Sequence, residues 1–454
     1  IFDMKKIVSF LFSVLFLSTG IVLAQEARTI TIQEAIEIAL ENNFQLKQAE
    51  NNLGLAEESI KSEYADFLPY INSSLNGGRT AGQQFIPDQV TFGNVTSRSL
   101  GGNLNAGIVV FDGFNNINTL RLSQQTKISR EESFQRSREN VIFNAASQYL
   151  QVLLSQQLLE ISEGNLATSQ KQLEQVQAQV EVGSRPSVDL YNQEAQVASD
   201  ELSVTQQENS LRFNKLALIR QLQIDPLGDY QFVIPDFDED RNVELAQSYN
   251  LSELIDEALF NRSDIKSELA SIRGLNYQVQ IAKGNLYPTV TASASLSTRY
   301  SDPYFLPNTN FGDQFFDQQI NKSFGFSVNI PLFQNWNRMY NIEASKVQLK
   351  NAELSLENSR LQVIQEVAQA YNDFTSYTKQ LSASEKALFA SEKAFETQQE
   401  RYNVGASTLI ELSQAQANYV SAQSDHTSAV YNLIFQEKLL DYYLGKLNNE
   451  NIEF

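Results

Sequence analysis

The segment at residues 287–300 reads YPTVTASASLSTRY. After its proline, apolar or small side chains occupy the even positions from Val290 to Leu296, and hydroxyl side chains occupy the odd positions from Thr289 to Ser297. Strict alternation is typical of a β-strand whose two faces meet different environments. Most of the chain instead consists of long runs rich in Gln, Glu and Ala, which favour helices. A strand of this kind in a helical protein needs a physical reason.

Three further segments share the alternation, and their polar faces consist of Ser, Thr and Asn. The alternating runs, at 70–78, 102–110 and 322–330, have about the 9–11 residues that a tilted strand needs to cross a bilayer. A half-buried sheet on a soluble core also alternates, but such a sheet needs a compact apolar domain, which the sequence does not offer. The pattern therefore predicts transmembrane strands at about 70–82, 99–111, 289–300 and 322–332.

Internal similarity divides the chain into two repeats. TIQEAIEIALENN at 31–43 returns as NLSELIDEALFNR at 250–262, and the later motifs return at a similar offset of about 220 residues. Each copy is predicted to contain a short helix, a medium helix, two strands, a very long helix and a returning helix. The predicted structural repeats are 25–246 and 247–454, preceded at 1–24 by a signal peptide with extra residues before its natural start, Met4.

Composition restricts the classes of function. The absence of cysteine excludes disulfides and thiolate metal sites, and a single histidine, His426, argues against a histidine-based metal site or triad. The formal net charge of −20 repels nucleic acid. We therefore predict no catalytic residues, no metal and no cofactor. Beyond the N-terminal segment, for which a short membrane anchor is the alternative, no apolar run reaches the roughly 20 residues of a spanning helix.

The longest helices are predicted from 113 to 181 and from 335 to 403, each about 100 Å long at 1.5 Å per residue. Two apolar seams about 110° apart within 361–381 indicate a neighbouring helix on each side, as in a ring. Four strands cannot close a barrel, which needs about eight, and open edges are not tolerated in lipid. The barrel must therefore be shared: two chains would supply 8 strands and three would supply 12, and the ring of helices favours three.

The predicted fold is mostly α with a membrane β part. It is an internally duplicated, long-helix α-barrel continuous with a 12-strand transmembrane β-barrel, shared by a homotrimer with four strands per chain. The helical tips, at 182–189 and 404–411, would lie far from the membrane, with Gly183 and Gly405 ending the long helices and Ser187 and Thr408 capping the returning ones. The corners between helices and strands are predicted at Pro69, Pro288, Pro331 and Gly113.

This order of elements resembles that of the TolC-like outer-membrane efflux proteins. The resemblance covers 30–446 and rests on the duplicated order, on PLF at 331–333, and on RYNVGASTLIEL at 401–412 with VEVGSRPSVDL at 180–190. It implies a trimeric duct, not an enzyme, in the cell outer membrane. The duct would be a passive conduit across the outer membrane and periplasm, docking through its tips with a periplasmic adaptor protein and an inner-membrane pump for tripartite efflux or type I secretion.

The resemblance also implies a gate at the tips. The family's tyrosine matches Tyr402, and its acidic residue matches Asp189 and Glu411 in the two repeats. The family's gate arginine is Ser407 here, whereas Arg185 holds the equivalent first-repeat position. We predict that Arg185 pairs with Glu411 or Asp189 across adjacent helix pairs; the alternative is a solvated surface pair. The predicted gate is Arg185, Asp189, Tyr402, Ser407, Glu411 and Gln414, and the predicted docking tip is Val182, Gly183, Ser184, Val404, Gly405 and Ala406.

Two points stay open at this stage. A coiled-coil structural or adaptor protein at the surface or in the periplasm would also need long helical hairpins. The aromatic loops at 79–99 and 299–321 fit either a girdle at the membrane interface, which we favour, or extracellular lids.

Overall fold

A computed structural model describes residues 28–86, 90–233, 249–302 and 310–447. The signal peptide predicted at 1–24 and the repeat boundary predicted at 246/247 lie outside these ranges. Within them, no helix is both long and apolar enough to span a membrane.

The helices follow the same order in both halves of the chain. The two longest have 67 residues each, or about 100 Å, as the unbroken helical pattern predicts. The first half contains α1 (Ile32–Asn42), α2 (Phe44–Ala65), α3 (Asn115–Glu181) and α4 (Ser187–Leu222). The second contains α5 (Leu251–Asn261), α6 (Ser263–Gly284), α7 (Asn337–Asn403) and α8 (Leu409–Tyr443), with a short helical segment at Phe311–Asp313 that continues as a π-turn at Gln314–Gln318.

The strands form two sheets. In the small one, β1 (Arg28–Ile30) pairs in parallel with β4 (Tyr230–Phe232). The large one is antiparallel, with the order β2-β3-β5-β6, and β3 pairs with β5 so that the sheet joins the two repeats. Its strands are β2 (Tyr70–Ile86), β3 (Thr91–Phe111), β5 (Thr289–Asp302) and β6 (Asn321–Asn329).

Three strand boundaries differ from the sequence prediction. The β2–β3 ladder continues to the pair Ile86 and Thr91, beyond the predicted ends near 82 and 99, because residues such as Thr, Phe and Val sustain the pairing there. Strand β6 ends at Asn329 instead of near 332. Pro331 has no amide hydrogen for the ladder, and Thr289, the partner of Asn329, is already the first residue of β5.

The shorter helices join end to end to make a second leg beside each long helix. The Asn42 side-chain amide donates to the carbonyl of Leu222 at 3.4 Å, and the Phe44 N–H donates to Gln223 Oε1 at 3.2 Å, which links α4 to α2. Gly445, after α8, lies against the backbone of Arg262 before α6. The leg formed by α4 and α2 lies beside α3. On its other side, α3 lies beside the leg formed by α8 and α6, and that leg lies beside α7.

Two apolar clusters hold the legs together. One surrounds Tyr149 on α3 and includes α1 and the small sheet, and the other surrounds Phe374 on α7 and includes α5 and α8. Tyr149 and Phe374 are fully buried. Burying aromatic side chains of this size contributes about 1.5–3 kcal/mol each, so the clusters stabilise the helical part at mid-height.

A buried charge cluster lies between these two apolar clusters. Arg262 places Nη2 2.6 Å from Asp264 Oδ2 and Nη1 2.6 Å from Glu366 Oε2, which ties the start of α6 to α7. Arg136 of α3 stacks 4.0 Å from the ring centre of Tyr442 in α8. Burial opposes ionisation of Asp264, but the hydrogen bond and charge of Arg262 outweigh it and lower the pKa of Asp264.

The corners use the predicted residues. Pro69 and Pro288 stand between a medium helix and its strand, and Pro331 follows β6. Gly113 has φ +73°, and a Cβ there would lie 2.2 Å from the carbonyl oxygen of Gly284. Asp112 then accepts the amide hydrogens of Asn115 and Asn116 at 3.0 and 2.7 Å, which starts α3.

Gly113→Ala is expected to destabilise the protein by roughly 2–3 kcal/mol, because the left-handed backbone and the contact with Gly284 both disfavour a side chain. The readout is the temperature at which the folded band disappears on semi-native gels. Gly164→Ala is the matched control, since a Cβ at Gly164 of α3 meets nothing within 4 Å. Equal melting of the two variants would contradict the assignment.

Candidate functional site

The two helical tips have the same backbone turn. Gly183 and Gly405 take φ of +76° and +75°, and each follows the end of a long helix. The N–H of Ser184 donates to the carbonyl of Gln179 at 2.9 Å, and that of Ala406 donates to Arg401 at 2.7 Å. Both are Schellman turns, in which glycine avoids the steric cost of a left-handed residue. The glycine positions were predicted from sequence.

The returning helices start differently. Thr408 forms a reciprocal capping box with Glu411, as predicted: the Glu411 N–H donates to Thr408 Oγ1 at 3.3 Å, and the Thr408 N–H donates to Glu411 Oε2 at 3.1 Å. The prediction that Ser187 caps α4 is wrong. Pro186, with extended ψ of 149°, is the N-cap residue, and Ser187 is already the first helical residue.

Arg185 connects the two tips. Its guanidinium carbon lies 4.2 Å from the ring centre of Tyr402, which belongs to the other hairpin. Its Nη1 lies 3.6 Å from Asp189 Oδ2, one turn along α4. Both charged side chains are about four-fifths buried, at 18% and 20% exposure, so solvent screens this contact less than an ordinary surface pair.

Tyr402 is the centre of a small apolar cluster at the tip. It packs with Val176, Leu409 and Leu412, all buried, and with Phe395 at the edge. Burial raises the pKa of the Tyr402 phenol; the Arg185 charge opposes the increase and Asp189 adds to it. Its hydroxyl has no hydrogen-bond partner within the described ranges. The ring therefore acts as a packing and stacking surface for Arg185.

The other predicted gate residues form no hydrogen bond or ion pair with Arg185 in the described part of the chain. Glu411 accepts a hydrogen bond from the Ser407 hydroxyl at 2.7 Å, which is the main reason why the pKa of Glu411 is lowered. Gln414 bonds to Asn418 on its own helix at 3.0 Å. Arg185 thus meets Asp189 within its own hairpin, and Glu411 is engaged in capping α8.

The predicted docking residues form the exposed ends of the hairpins. Val182 and Val404 occupy equivalent positions before the two glycines, and each is 79% exposed. Val188 and Ile410 on the first turns of the returning helices are also exposed. Exposed apolar side chains at the extreme end of a helical hairpin are typical of a contact surface.

A buried polar layer above the tip was missed at the sequence level. Asp200 of α4 is 6% exposed and accepts hydrogen bonds from Ser169 and, at 2.9 Å, from Asn165 of α3. Gln416 of α8 donates to Asn165 Oδ1 at 2.7 Å and accepts from Gln172 at 2.8 Å. The sequence does contain a signal for this layer, because residues 165, 169 and 172 lie at helical spacing on the same face of α3 as Val176.

The described residues contain no group of His, Cys, Asp and Glu side chains arranged to hold a metal ion. Comparison with protein families gives a match to the outer membrane efflux protein model over residues 35–222 and 254–446, which covers both repeats. The chain belongs to the outer membrane efflux protein family. The family resemblance predicted from sequence is therefore confirmed.

Individual relatives agree with this family assignment. The outer membrane efflux protein BepC of Brucella suis is 24% identical over 74% of this chain and 68% of its own length. The solvent efflux pump outer membrane protein SrpC of Pseudomonas putida is 25% identical over 91% of this chain and 82% of its own length.

Solved structures confirm the fold class. The crystal structure of CusC aligns with a TM-score of 0.78 at 19% identity, covering 91% of this chain and 92% of that one. The CmeC outer membrane channel of Campylobacter jejuni aligns with a TM-score of 0.77 at 17% identity, covering 92% and 87%. The long paired helices with a β part are the fold that these proteins share.

Proposed function

We propose that three copies of this chain form an exit duct in the cell outer membrane, serving a tripartite efflux or type I secretion system as a passive conduit. The observation that carries the proposal is that the helices and the strands have the same lateral order. In the described part of the chain, both layers have edges without a partner, and these edges lie on the same two sides. A heterologous contact between these edges closes a ring.

The helical edges expose apolar seams. On α7, Tyr340, Val347, Leu354 and Leu361 are each at least half exposed and recur every seven residues. On the opposite edge, α4 exposes Tyr191, Leu202 and Phe213 at intervals of eleven residues. Spacings of seven and of eleven residues both place the side chains on one face of a helix. The α7 edge of one copy therefore fits against the α4–α2 edge of the next.

The sheet has edges on the same two sides, at β2 and β6. An open edge in lipid leaves backbone groups without partners at several kcal/mol each, so β6 of one copy must pair with β2 of another. Three copies give a barrel of 12 strands. The face that carries Asn72, Asn103 and Ser295 would line its interior, which suits a water-filled passage.

At the periplasmic end, the contact of Arg185 with Tyr402 and Asp189 supports a role in holding the duct closed. The exposed Val182 and Val404 support docking of a periplasmic adaptor protein, which would connect the duct to an inner-membrane pump. The alternative of a coiled-coil scaffold or adaptor is not favoured, because the family match includes both repeats. No enzymatic role is proposed.

A cysteine pair tests the ring. Leu202 and Phe389 are exposed on α4 and α7, and each lies about 20 Å from its own tip. Since the natural sequence has no cysteine, the variant L202C/F389C should form disulfide-linked multimers up to the trimer upon oxidation in membranes.

The matched control is L202C/L361C, because Leu361 lies about 60 Å from the tip on the same helix. Cross-linking that is equal in both variants, or a ladder that stops at the dimer, would overturn the trimeric arrangement.

A further inference from the structure

On the side away from the helices, the part of the large sheet in which β2, β3 and β5 pair ends in a row of charge, and only the β2–β3 hairpin continues beyond it. Arg98 of β3 stands directly opposite Arg79 of β2 and, on its other side, opposite Asp302 of β5. Side chains that oppose each other in a ladder project from the same face. All three are exposed, and two arginines with one aspartate give the row a net charge of +1.

This row lies on the apolar face of the sheet. Moving toward the helices along the same face, the next rows contain Leu100 and Tyr300, then Leu75 and Thr298. The alternation of the strands therefore places Arg79 and Arg98 on the lipid side of the proposed barrel, at the height where its apolar band ends. Like charges directly opposite in a ladder are destabilising, so the pair favours a bound anion.

An aromatic ledge, formed by Phe311, Phe315 and Phe316, lies just below the charged row. Phe315 covers Gly102, where a Cβ would come within 3.0 Å of its ring, and the Thr298 hydroxyl donates to the Phe315 carbonyl. Both Gly102 and Thr298 belong to the apolar face. The ledge thus packs on the outside of the sheet, which favours the girdle over the lid for this loop.

The ledge leaves apolar surface for another molecule. The rings of Phe311 and Phe316 lie 6.0 Å apart and remain 42% and 68% exposed. Aromatic rings facing lipid immediately below paired arginines match an amphiphile with an anionic head and acyl tails. A guanidinium binds phosphate through two parallel hydrogen bonds, which a single lysine cannot reproduce.

We propose that Arg79 and Arg98 form a binding site for the phosphate group of an outer-leaflet lipid, whose acyl chains lie along the aromatic ledge. The site rests on the proposed function, since it requires the apolar face to meet lipid. The phosphate neutralises the opposed guanidinium groups, and the acyl chains cover Phe311 and Phe316.

The test compares purified wild-type protein with R79Q/R98Q by native mass spectrometry after incubation with diphosphorylated lipid A. The fraction of protein carrying lipid is expected to fall at least fivefold in the variant. R299Q is the matched control: Arg299 opposes Gly101 and therefore projects from the opposite face at nearly the same height. It should retain lipid as the wild type does.

Lipid retention by R79Q/R98Q, or equal loss in R299Q, would overturn the site. Inorganic phosphate is added in a second arm; if it displaces or replaces lipid A at equal concentration, the site binds a free anion instead.

Should R79Q/R98Q fail to fold, R79K/R98K keeps the charge and is expected to lose part of the binding; full binding would contradict the two-point contact. If the wild-type protein is trimeric but carries no lipid, the result contradicts this site alone. If it is monomeric, the result contradicts the proposed function.

Discussion

Replacing Arg262 with Leu is expected to destabilise the protein by about 3–5 kcal/mol, the usual result of removing one partner from a buried ion pair. The Arg262 side chain is 5% exposed, and its two terminal nitrogens bind Asp264 and Glu366 at 2.6 Å each. Removal leaves Glu366 without its arginine and leaves Asp264 with only the more distant Arg136, whose Nε lies 3.8 Å from Asp264 Oδ2. The measurement is the thermal loss of the folded band, together with the amount of protein recovered in outer membranes.

Arg360→Leu is the matched control. Arg360 of α7 pairs with Glu357 at 2.7 Å, but the two side chains are 41% and 65% exposed. Exposed pairs contribute about 0–1 kcal/mol, so this variant should melt close to the wild type. If both arginine variants melt together, the cluster around Arg262 does not carry the stability assigned to it.

The same cluster has a defined pH dependence. Arg262 lowers the pKa of Asp264 below its ordinary value of 3.8. A group with a lowered pKa in the folded state contributes stability that is present above the unfolded-state pKa. This stability is lost as the pH falls from about 4 through the lowered value. The difference in melting temperature between wild type and R262L should therefore shrink in that acidic range.

The strands and long helices were predictable because each obeys a local period. Alternation at 289–300 identifies both faces of β5, and uninterrupted helical runs identify α3 and α7. The full length of the β2–β3 hairpin was not predictable. Both faces of its outer part mix apolar and polar side chains, so no period distinguishes it from a loop, and only the cross-strand pairing to Ile86 extends it.

The tip was predictable in part. The glycine turns and the Thr408 cap follow from short-range rules, whereas the start of α4 at Ser187 depends on the backbone of Pro186. The stacking of Arg185 on Tyr402 joins residues more than 200 positions apart. Such contacts depend on how two hairpins pack, which neither hairpin sequence specifies alone.

Buried polar and charged groups were the largest omission. In the sequence, Asp200 and Arg262 occupy positions typical of a solvated polar face. In the structure, Asp200 is only 6% exposed, and the side chain of Arg262 is only 5% exposed. Burial of a charge becomes tolerable only when partners on neighbouring helices satisfy it. Those partners, Ser169 and Glu366, come from other elements.

Arg185→Ala is expected to raise the open probability and mean conductance of the duct in planar bilayers. The side chain spans the two hairpins of one protomer, with its guanidinium 4.2 Å from the Tyr402 ring centre and 3.6 Å from Asp189. Opening that separates the hairpins must break this contact. A partly desolvated cation–π contact contributes about 0.5–2 kcal/mol, so three copies opening together would lose about 1.5–6 kcal/mol.

A change of about 1.5–6 kcal/mol corresponds to an open population roughly 10-fold or more higher when the closed state predominates in the wild type. Tyr402→Leu keeps an apolar side chain in the cluster but removes the ring, so it should produce a similar increase. The double variant should add little to either single variant, because both substitutions remove the same contact.

Arg401→Ala separates this mechanism from a simple change of charge at the mouth. Arg401 is exposed at the second tip and bonds to Gln398 at 3.0 Å and to the Ala406 carbonyl at 3.2 Å. Its removal changes the net charge by the same amount and leaves the contact between Arg185 and Tyr402 in place. If R401A opens the duct as much as R185A does, the local charge controls conductance and the contact does not act as a latch. Unchanged conductance in R185A would reject the latch directly.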